Sequence, residues 1–402
     1  MNILIAAVTS NRAMSGVSRH ATNLVKGLLT RPEVSSIHLL VAPWEYDYIS
    51  KSISRLDARL HIHAVHLRPG RLHRNLWYYR TLPSVAEQLH VDIVHIAYPS
   101  PFRASAFPCP VVVTLHDLYP YDIPSNFGFP KVLFNRIILR QCLKNASAIA
   151  CVSDSTRLRL GIRIPWAMSK AVTIFNCVES GSMPVKPPFI SAWKDAPFLL
   201  CVAQHRRNKN ILTALRAFRQ LIVRNEISAK TRLVVVGMPG PESADLYGFV
   251  RASHLTERIS FVSGISDAEL QWCYRNCELL LAPSSMEGFG LPVIEGLFAG
   301  CRIVCSDIPA FREVGGDKCR FVELGSDAQE AFAREIVASL REPRHAPALL
   351  PHLAPGHISQ QYLNLYQLLL AVPGVSSDAV GQCYAPARAS SVADEVPTAA
   401  HS

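Results

Sequence analysis

The chain is expected to fold as two consecutive doubly wound α/β domains, and three observations lead there. Its 402 residues are too many for one ordinary α/β domain and suit two, each able to bury a core. Short apolar runs recur with amphipathic segments between them, the rhythm of strands and helices around a parallel sheet. The runs also form two series, parted by the proline-rich, aperiodic stretch Ser180–Pro188.

The elements follow in order. Strands are expected in the runs Ile3–Val8, Ile37–Ala42, Leu60–Leu67, Ile93–Ala97, Val111–Leu115, Ala148–Val152 and Val172–Phe175. The second series is Phe198–Ala203, Arg232–Val236, Ile259–Val262, Leu279–Ala282, Ile303–Cys305 and Arg320–Val322. These series set domain limits at 1–183 and 189–345. After the prolines of Arg341–Pro347, the segment Ile358–Leu370 is amphipathic, and a helix is expected over 356–372. Residues 373–402 are rich in Ala, Ser, Val and Pro and are expected to be disordered.

Composition narrows the classes. Hydrophobic residues make up 49% of the chain, which excludes a disordered polymer. A formal charge of +10 favours anionic partners: nucleic acid, phosphorylated substrates and an anionic membrane surface all satisfy it. The 11 cysteines are odd in number and sit mostly in apolar runs such as Ala150-Cys151-Val152, as buried thiols do in a reducing cytoplasm. Cys273/Cys277 and Cys301/Cys305 have wider gaps than many zinc sites, so no metal is expected. Met1–Val8 carries no basic leader and reads as a first strand, and no apolar run reaches spanning length. The expected location is the cytoplasm, or the inner face of a membrane. Arg68, Arg71, His73, Arg74 and Arg80 interleave with Leu72, Leu76, Trp77, Tyr78 and Tyr79. Peripheral membrane contact and a partly solvated helix both fit that mixture.

Chemistry concentrates in Ser284–Gly300. The strand-like run Cys277–Pro283 leads into a glycine-rich turn, then into a helix with Pro292 suited to its first position and Gly300 to its stop. Free N–H groups at a helix start attract anions, and glycines let a phosphate approach the backbone. A carboxylate such as Glu295 can accept hydrogen bonds from two adjacent sugar hydroxyls. Phosphate plus vicinal diol describes a sugar nucleotide, although a glycine-rich turn before a helix also occurs as plain structure in many α/β folds.

Three other strings share the strand-end position. Arg206, Arg207 and Lys209 follow the first strand of the second domain, where cations can hold a diphosphate; a solvated basic loop is the alternative. His116 and Asp117 end a buried run, the histidine placed to bond a sugar hydroxyl or to serve structure alone, the aspartate to orient Tyr119–Pro124. Gly16, after Ser15, lies between the first strand and a helix beginning near Ser18. Ser153 reads as the cap of the next helix.

The string Glu287–Glu295 resembles the donor-binding region of retaining GT-B glycosyltransferases of the family-four (group 1) type. Lys209-Asn210 is similar to that family's Lys-Asn pair, His116 to its cleft histidine, and Gly16 to one member of its Gly-Gly pair. Ala203-Gln204 departs from the strand-end glycine and following arginine of many members. The resemblance implies a GT-B fold: two Rossmann-like domains facing a central cleft, acceptor first and nucleotide sugar second, with the C-terminal helix crossing back. It implies transfer of a hexose with retention, from GDP-mannose or a UDP-sugar to a glycan or lipid-linked acceptor, without metal or other cofactor and without nucleic acid. In that scheme Glu295 binds the ribose, while Gly288, Phe289, Gly290 and Leu291 present backbone N–H groups. Glu287 contacts the donor sugar, His116 faces the leaving group, and Lys209, Asn210 and either Arg206 or Arg207 serve the diphosphate. A sugar-nucleotide epimerase or hydrolase, or a non-catalytic partner subunit, would share the architecture. A nicotinamide dehydrogenase is disfavoured, because no Gly-x-Gly-x-x-Gly follows the first strand.

Overall fold

The computed structural model describes residues 1–10, 16–53, 57–179, 183–191, 193 and 196–371. Ser15, residues 180–182 of the expected linker and the expected tail 373–402 lie outside the described residues. The strands are β1 Asn2–Ala6, β2 Ser36–Val41, β3 Leu60–Ala64, β4 Ile93–Ile96, β5 Val111–Leu115, β6 Ala148–Cys151, β7 Ala171–Thr173, β8 Phe198–Val202, β9 Arg232–Val236, β10 Ile259–Val262, β11 Leu279–Ala282, β12 Ile303–Ser306 and β13 Arg320–Val322. The helices are α1 Gly16–Leu29, α2 Tyr46–Ser52, α3 Arg71–Gln88, α4 Tyr119–Asp122, α5 Lys131–Asn145, α6 Asp154–Arg163, α7 Pro188–Ser191, α8 Ile211–Val223, α9 Ser243–Ala252, α10 Asp267–Asn276, α11 Leu291–Phe298, α12 Pro309–Gly315, α13 Ala328–Leu340 and α14 Pro355–Ala371.

Two parallel sheets result, as expected of a GT-B fold. The first has the order β3-β2-β1-β4-β5-β6-β7 and the second β10-β9-β8-β11-β12-β13. In each sheet the strand order reverses beside the first strand, between β1 and β4 and between β8 and β11. At such a switch point neighbouring loops leave in opposite directions and open a crevice at the carboxyl ends. The apolar runs lack alternation because both faces are covered: Ile3, Leu4, Ile5, Val111, Val112, Val113, Leu279, Leu280 and Leu281 are all buried.

Helices α3 and α5 contribute Tyr78, Leu82, Leu139 and Leu143 to the core on one face of the first sheet. On the other face Leu24 and Leu28 of α1 pack with Ile358, Tyr362, Leu365 and Tyr366 of α14, so the last helix returns to the first sheet. Gly27 permits that crossing: a Cβ there would lie 2.6 Å from the Pro355 carbonyl oxygen. A buried polar chain anchors α14 further. His95 places Nδ1 2.6 Å from the Tyr366 hydroxyl and Nε2 2.7 Å from Thr114 Oγ1. Burial pushes its imidazole down to about 3, so it stays neutral inside the sheet. All ten cysteines among the described residues are free thiols. No helix among those residues is long and apolar enough to cross a membrane.

Some boundaries differ from the sequence expectation. Helix α11 begins at Leu291, so Pro292 occupies its second position, and Gly290 at φ +100° caps it. The strand expected to reach Leu67 ends at Ala64, and α1 begins at Gly16 rather than near Ser18.

Gly27→Val is expected to lower stability by about 1–3 kcal/mol, the scale of overpacking in a tight contact. Urea unfolding followed by circular dichroism measures it, and an unchanged midpoint would show that α14 does not need that close approach.

Candidate active site

The two switch points face each other across a cleft of about 620 Å³. Its centre is the turn between β11 and α11, and local chemistry explains why the turn sits where it does. Ser285 N donates to the Asn208 carbonyl at 2.8 Å, tying the turn to the loop after β8. Gly288 abuts the end of β5: a Cβ would lie 1.8 Å from the His116 carbonyl oxygen, so only glycine lets the two backbones meet. From the first domain, Ser153 Oγ and Thr156 Oγ1 donate to the Gly288 carbonyl at 2.5 and 3.0 Å. Arg159 Nη2 donates to the Glu287 carbonyl at 2.9 Å. Ser153 also caps α6 by accepting from Thr156 N. Glu313 of α12 completes that cap across the domain boundary, accepting from the N–H groups of Asp154 at 2.7 Å and Ser155 at 3.1 Å.

Two carboxylates stand on either side of the α11 N-terminus. Glu287 Oε1 accepts from Lys209 Nζ at 2.5 Å, and its Oε2 lies 3.4 Å from the Tyr119 hydroxyl. Glu295 Oε1 accepts from Arg19 Nη1 at 2.6 Å and Oε2 from the buried Tyr274 hydroxyl at 2.8 Å. Both are largely buried acids, each supplied with a cation, as a buried charge requires. His116 holds Nε2 2.9 Å from the Ala97 carbonyl, so that nitrogen carries the proton. Desolvation pushes the ring down to about 4, leaving it neutral near pH 7 with Nδ1 as an acceptor. The arrangement offers cations and helix N–H groups for a diphosphate, and carboxylates for hydroxyl pairs.

Comparison with known proteins gives this geometry a family. The profile described as Glycosyl transferases group 1 matches residues 186–348, and that of Glycosyltransferase Family 4 matches residues 14–180. The chain belongs to the group 1 glycosyltransferases. It is 25% identical over 362 residues to O-antigen chain mannosyltransferase B of Escherichia coli, covering 85% of this chain and 91% of that one. It is 27% identical over 202 residues to O-antigen chain mannosyltransferase RfbU of Salmonella typhimurium, half of this chain and 53% of the relative. Among solved structures, Anabaena HepE in complex with UDP and glucose superposes with a TM-score of 0.61 at 13% identity, covering 95% of this chain and 98% of HepE. Sucrose-phosphate synthase of Thermosynechococcus elongatus gives 0.65 at 18% identity, covering 92% and 99%. At these identities the structural likeness establishes the GT-B fold.

The transferase brings most of the sequence-selected residues together. Gly16, His116, Arg206, Lys209, Glu287, Gly288, Phe289, Gly290, Leu291 and Glu295 all line the one cleft. Two selected residues do not. Arg207 is exposed at the start of a 3₁₀ turn, Arg207–Lys209, and stays out of the lining, whereas Arg206 enters it. Asn210 is turned away because it shapes the loop: at φ +48° its Nδ2 donates to the Pro283 carbonyl at 3.1 Å and its Oδ1 accepts from Thr213 Oγ1 at 2.8 Å. Asp117 accepts from Tyr119 N at 3.0 Å, as a loop-orienting residue does. Arg19, Tyr119, Asn208, Asp267 and Tyr274 carried no sequence signal; each enters the site through partners far away in the chain.

Gly288→Ala is expected to leave the fold intact and to lower turnover of the transferase by roughly tenfold or more, because the turn must retreat from His116 and misplace the α11 N-terminus. Steady-state kinetics beside a circular dichroism spectrum checks this; wild-type turnover in the variant would show that the close approach is incidental.

Proposed function

We propose that this glycosyltransferase moves a hexose from a nucleoside-diphosphate sugar to a glycan or lipid-linked acceptor, retaining the anomeric configuration, in the assembly of a surface polysaccharide or glycolipid. The observation that carries the reading is the pairing, in one cleft, of Glu295 near a helix N-terminus with Lys209 and Arg206 after the neighbouring parallel strand β8. Mannose is the favoured sugar, since the relatives that align over most or half of the chain are named as O-antigen mannosyltransferases. GDP-mannose is the corresponding donor, and HepE bound to UDP and glucose keeps UDP-sugars in view.

The chain's own groups divide the work. Glu295 takes the ribose hydroxyls, and the N–H groups from Gly288 to Leu291 meet the diphosphate and sugar. Glu287 accepts from donor-sugar hydroxyls, held in place by Lys209, and neutral His116 offers Nδ1 to another. Negative charge on the β-phosphate grows as the glycosidic bond breaks, so Lys209 and Arg206 stabilise the transition state more than the bound donor. In the retaining route the departing phosphate accepts the acceptor's proton on the same face. Protein cations take the place of a metal in this scheme.

Peripheral membrane contact is proposed for a different surface from the one the sequence suggested. In α3, Trp77 and Tyr78 are buried in the core, Tyr79 is half-buried, and Leu72 and Leu76 remain exposed. Helix α5 exposes Leu133, Phe134 and Ile137, with Phe129 just before it and exposed Arg140 and Lys144 on the same stripe. From Ile123 to Val178 the sequence holds eight lysines and arginines and one acid, Asp154, so the segment is strongly basic. Apolar side chains flanked by unopposed cations suit the headgroup region of an anionic bilayer. Arg136 donates to the Pro120 carbonyl at 2.8 Å, so α5 adjoins the α4 loop at the cleft and a lipid-linked acceptor would have a short path to the site. A cytoplasmic location at that inner surface fits the free thiols.

Lys209→Ala is expected to lower turnover by about a hundredfold or more while donor affinity falls far less. Arg206→Ala should resemble it and Arg207→Ala should not. The measurement is transfer from GDP-mannose and UDP-sugars to lipid-linked acceptor extracts in EDTA-containing buffer, beside calorimetry of donor binding. Full turnover in Lys209→Ala would remove its role, and activity that needs added Mg²⁺ or Mn²⁺ would overturn the metal-free scheme. Sedimentation with phosphatidylglycerol vesicles tests the surface: Phe134→Glu with Ile137→Glu should cut binding by roughly tenfold or more, and equal binding by both proteins would dismiss α5.

A further inference from the structure

One residue of the first domain already occupies the acid assigned to the ribose. Arg19, on the first turn of α1, bridges two carboxylates of the second domain. Its Nη1 donates to Glu295 Oε1 at 2.6 Å and its Nη2 to Asp267 Oδ1 at 2.5 Å. Tyr48 of α2 donates to the other oxygen of Asp267 at 2.8 Å, so both oxygens of that residue are held from across the cleft. The other oxygen of Glu295 accepts from Tyr274 of α10, which is fully buried. Oε1 is therefore the oxygen through which Glu295 meets the cleft, and a guanidinium is seated on it.

We propose that Arg19 is a cross-cleft latch that competes with the donor's ribose for Glu295. The inference rests on the reading of Glu295 as the ribose carboxylate. A ribose hydroxyl bound to Glu295 needs Oε1, and a neutral hydroxyl does not displace a charge-assisted hydrogen bond on its own. Seating the diphosphate on Lys209, Arg206 and the α11 N-terminus supplies the rest of the driving force. Donor entry then breaks one ion pair between the domains, and Arg19 retains Asp267. After transfer the nucleoside diphosphate leaves against a guanidinium waiting to retake Oε1. The latch thus lowers ground-state affinity for the nucleotide and hastens product release, while the same ion pairs close the cleft when no donor is bound. Its partial exposure matters: with about 30% of the Arg19 side chain in solvent, the contact is strong enough to compete and weak enough to exchange.

The test uses the full-length protein, with GDP and UDP as probes in calorimetry and stopped-flow dissociation. Arg19→Ala is expected to bind the better of the two nucleotides about three- to tenfold more tightly, the scale of a partly exposed ion pair, and to release it more slowly. Asp267→Asn, a change at a half-exposed side chain, should act in the same direction more weakly by loosening the clasp from its other end. The double variant should be no tighter than Arg19→Ala alone, because both remove one interaction. Glu295→Gln separates the two readings. If it weakens nucleotide binding while Arg19→Ala weakens it too or leaves it unchanged, the latch falls and the ribose role stands. If Glu295→Gln leaves affinity unchanged, the ribose role falls and takes the latch with it.

Discussion

The contact between the Gly288 backbone and the carbonyl of His116 is the constraint on which the rest of the site depends. The closed cleft requires the ends of β5 and β11, which belong to different sheets, to meet almost without side chains between them. That approach lets α6 hold the turn through Ser153, Thr156 and Arg159, and lets Glu313 return the favour by capping α6. The N–H groups at the start of α11 are consequently aimed by residues of the other domain. Residues of both domains therefore hold the turn before α11 in place.

Charge follows the same logic. Glu287 and Glu295 are buried acids, and a buried charge is costly unless it is paired. Each is paired: Glu287 with Lys209 of its own domain, Glu295 with Arg19 of the other. The first pair fixes the Glu287 carboxylate through a charge-assisted hydrogen bond. The second pair is made across the domain boundary. Exposed Arg206 lines the same cleft as the start of α11.

The division into two parallel sheets was legible because buried strands write long apolar runs, and the donor turn because glycine, proline and acid recur at a spacing few other structures need. Arg207 shows where such reading stops. Three cations within four residues look alike in sequence, and a single 3₁₀ turn decides that Arg206 enters the cleft and Arg207 does not. Asn210 likewise reads as a ligand-binding polar residue until its positive φ and two local hydrogen bonds show it shaping the loop. Helix α3 shows a mixed phase: Trp77 and Tyr78 are core, while Leu72 and Leu76 stay exposed, as a partly solvated helix allows. Arg19 was invisible because its two partners lie some 250 residues or more along the chain, a separation no local pattern records.

The C-terminal helix extends this coupling beyond the cleft. Tyr366 reaches His95 inside the first sheet, and His95 reaches Thr114, two residues before His116. His20, one residue after Arg19, packs edge-on against the His116 ring with centroids 5.3 Å apart. The same buried cluster therefore packs against His116, adjoins Arg19 through His20 and is hydrogen-bonded to α14. Because desolvation keeps His95 and His20 neutral, the cluster can bear on the site through hydrogen bonds and packing without adding charge to it. Lys209, Arg206 and Arg19 line the cleft as cations, and of the three neutral imidazoles His116 is the one that lines it with them.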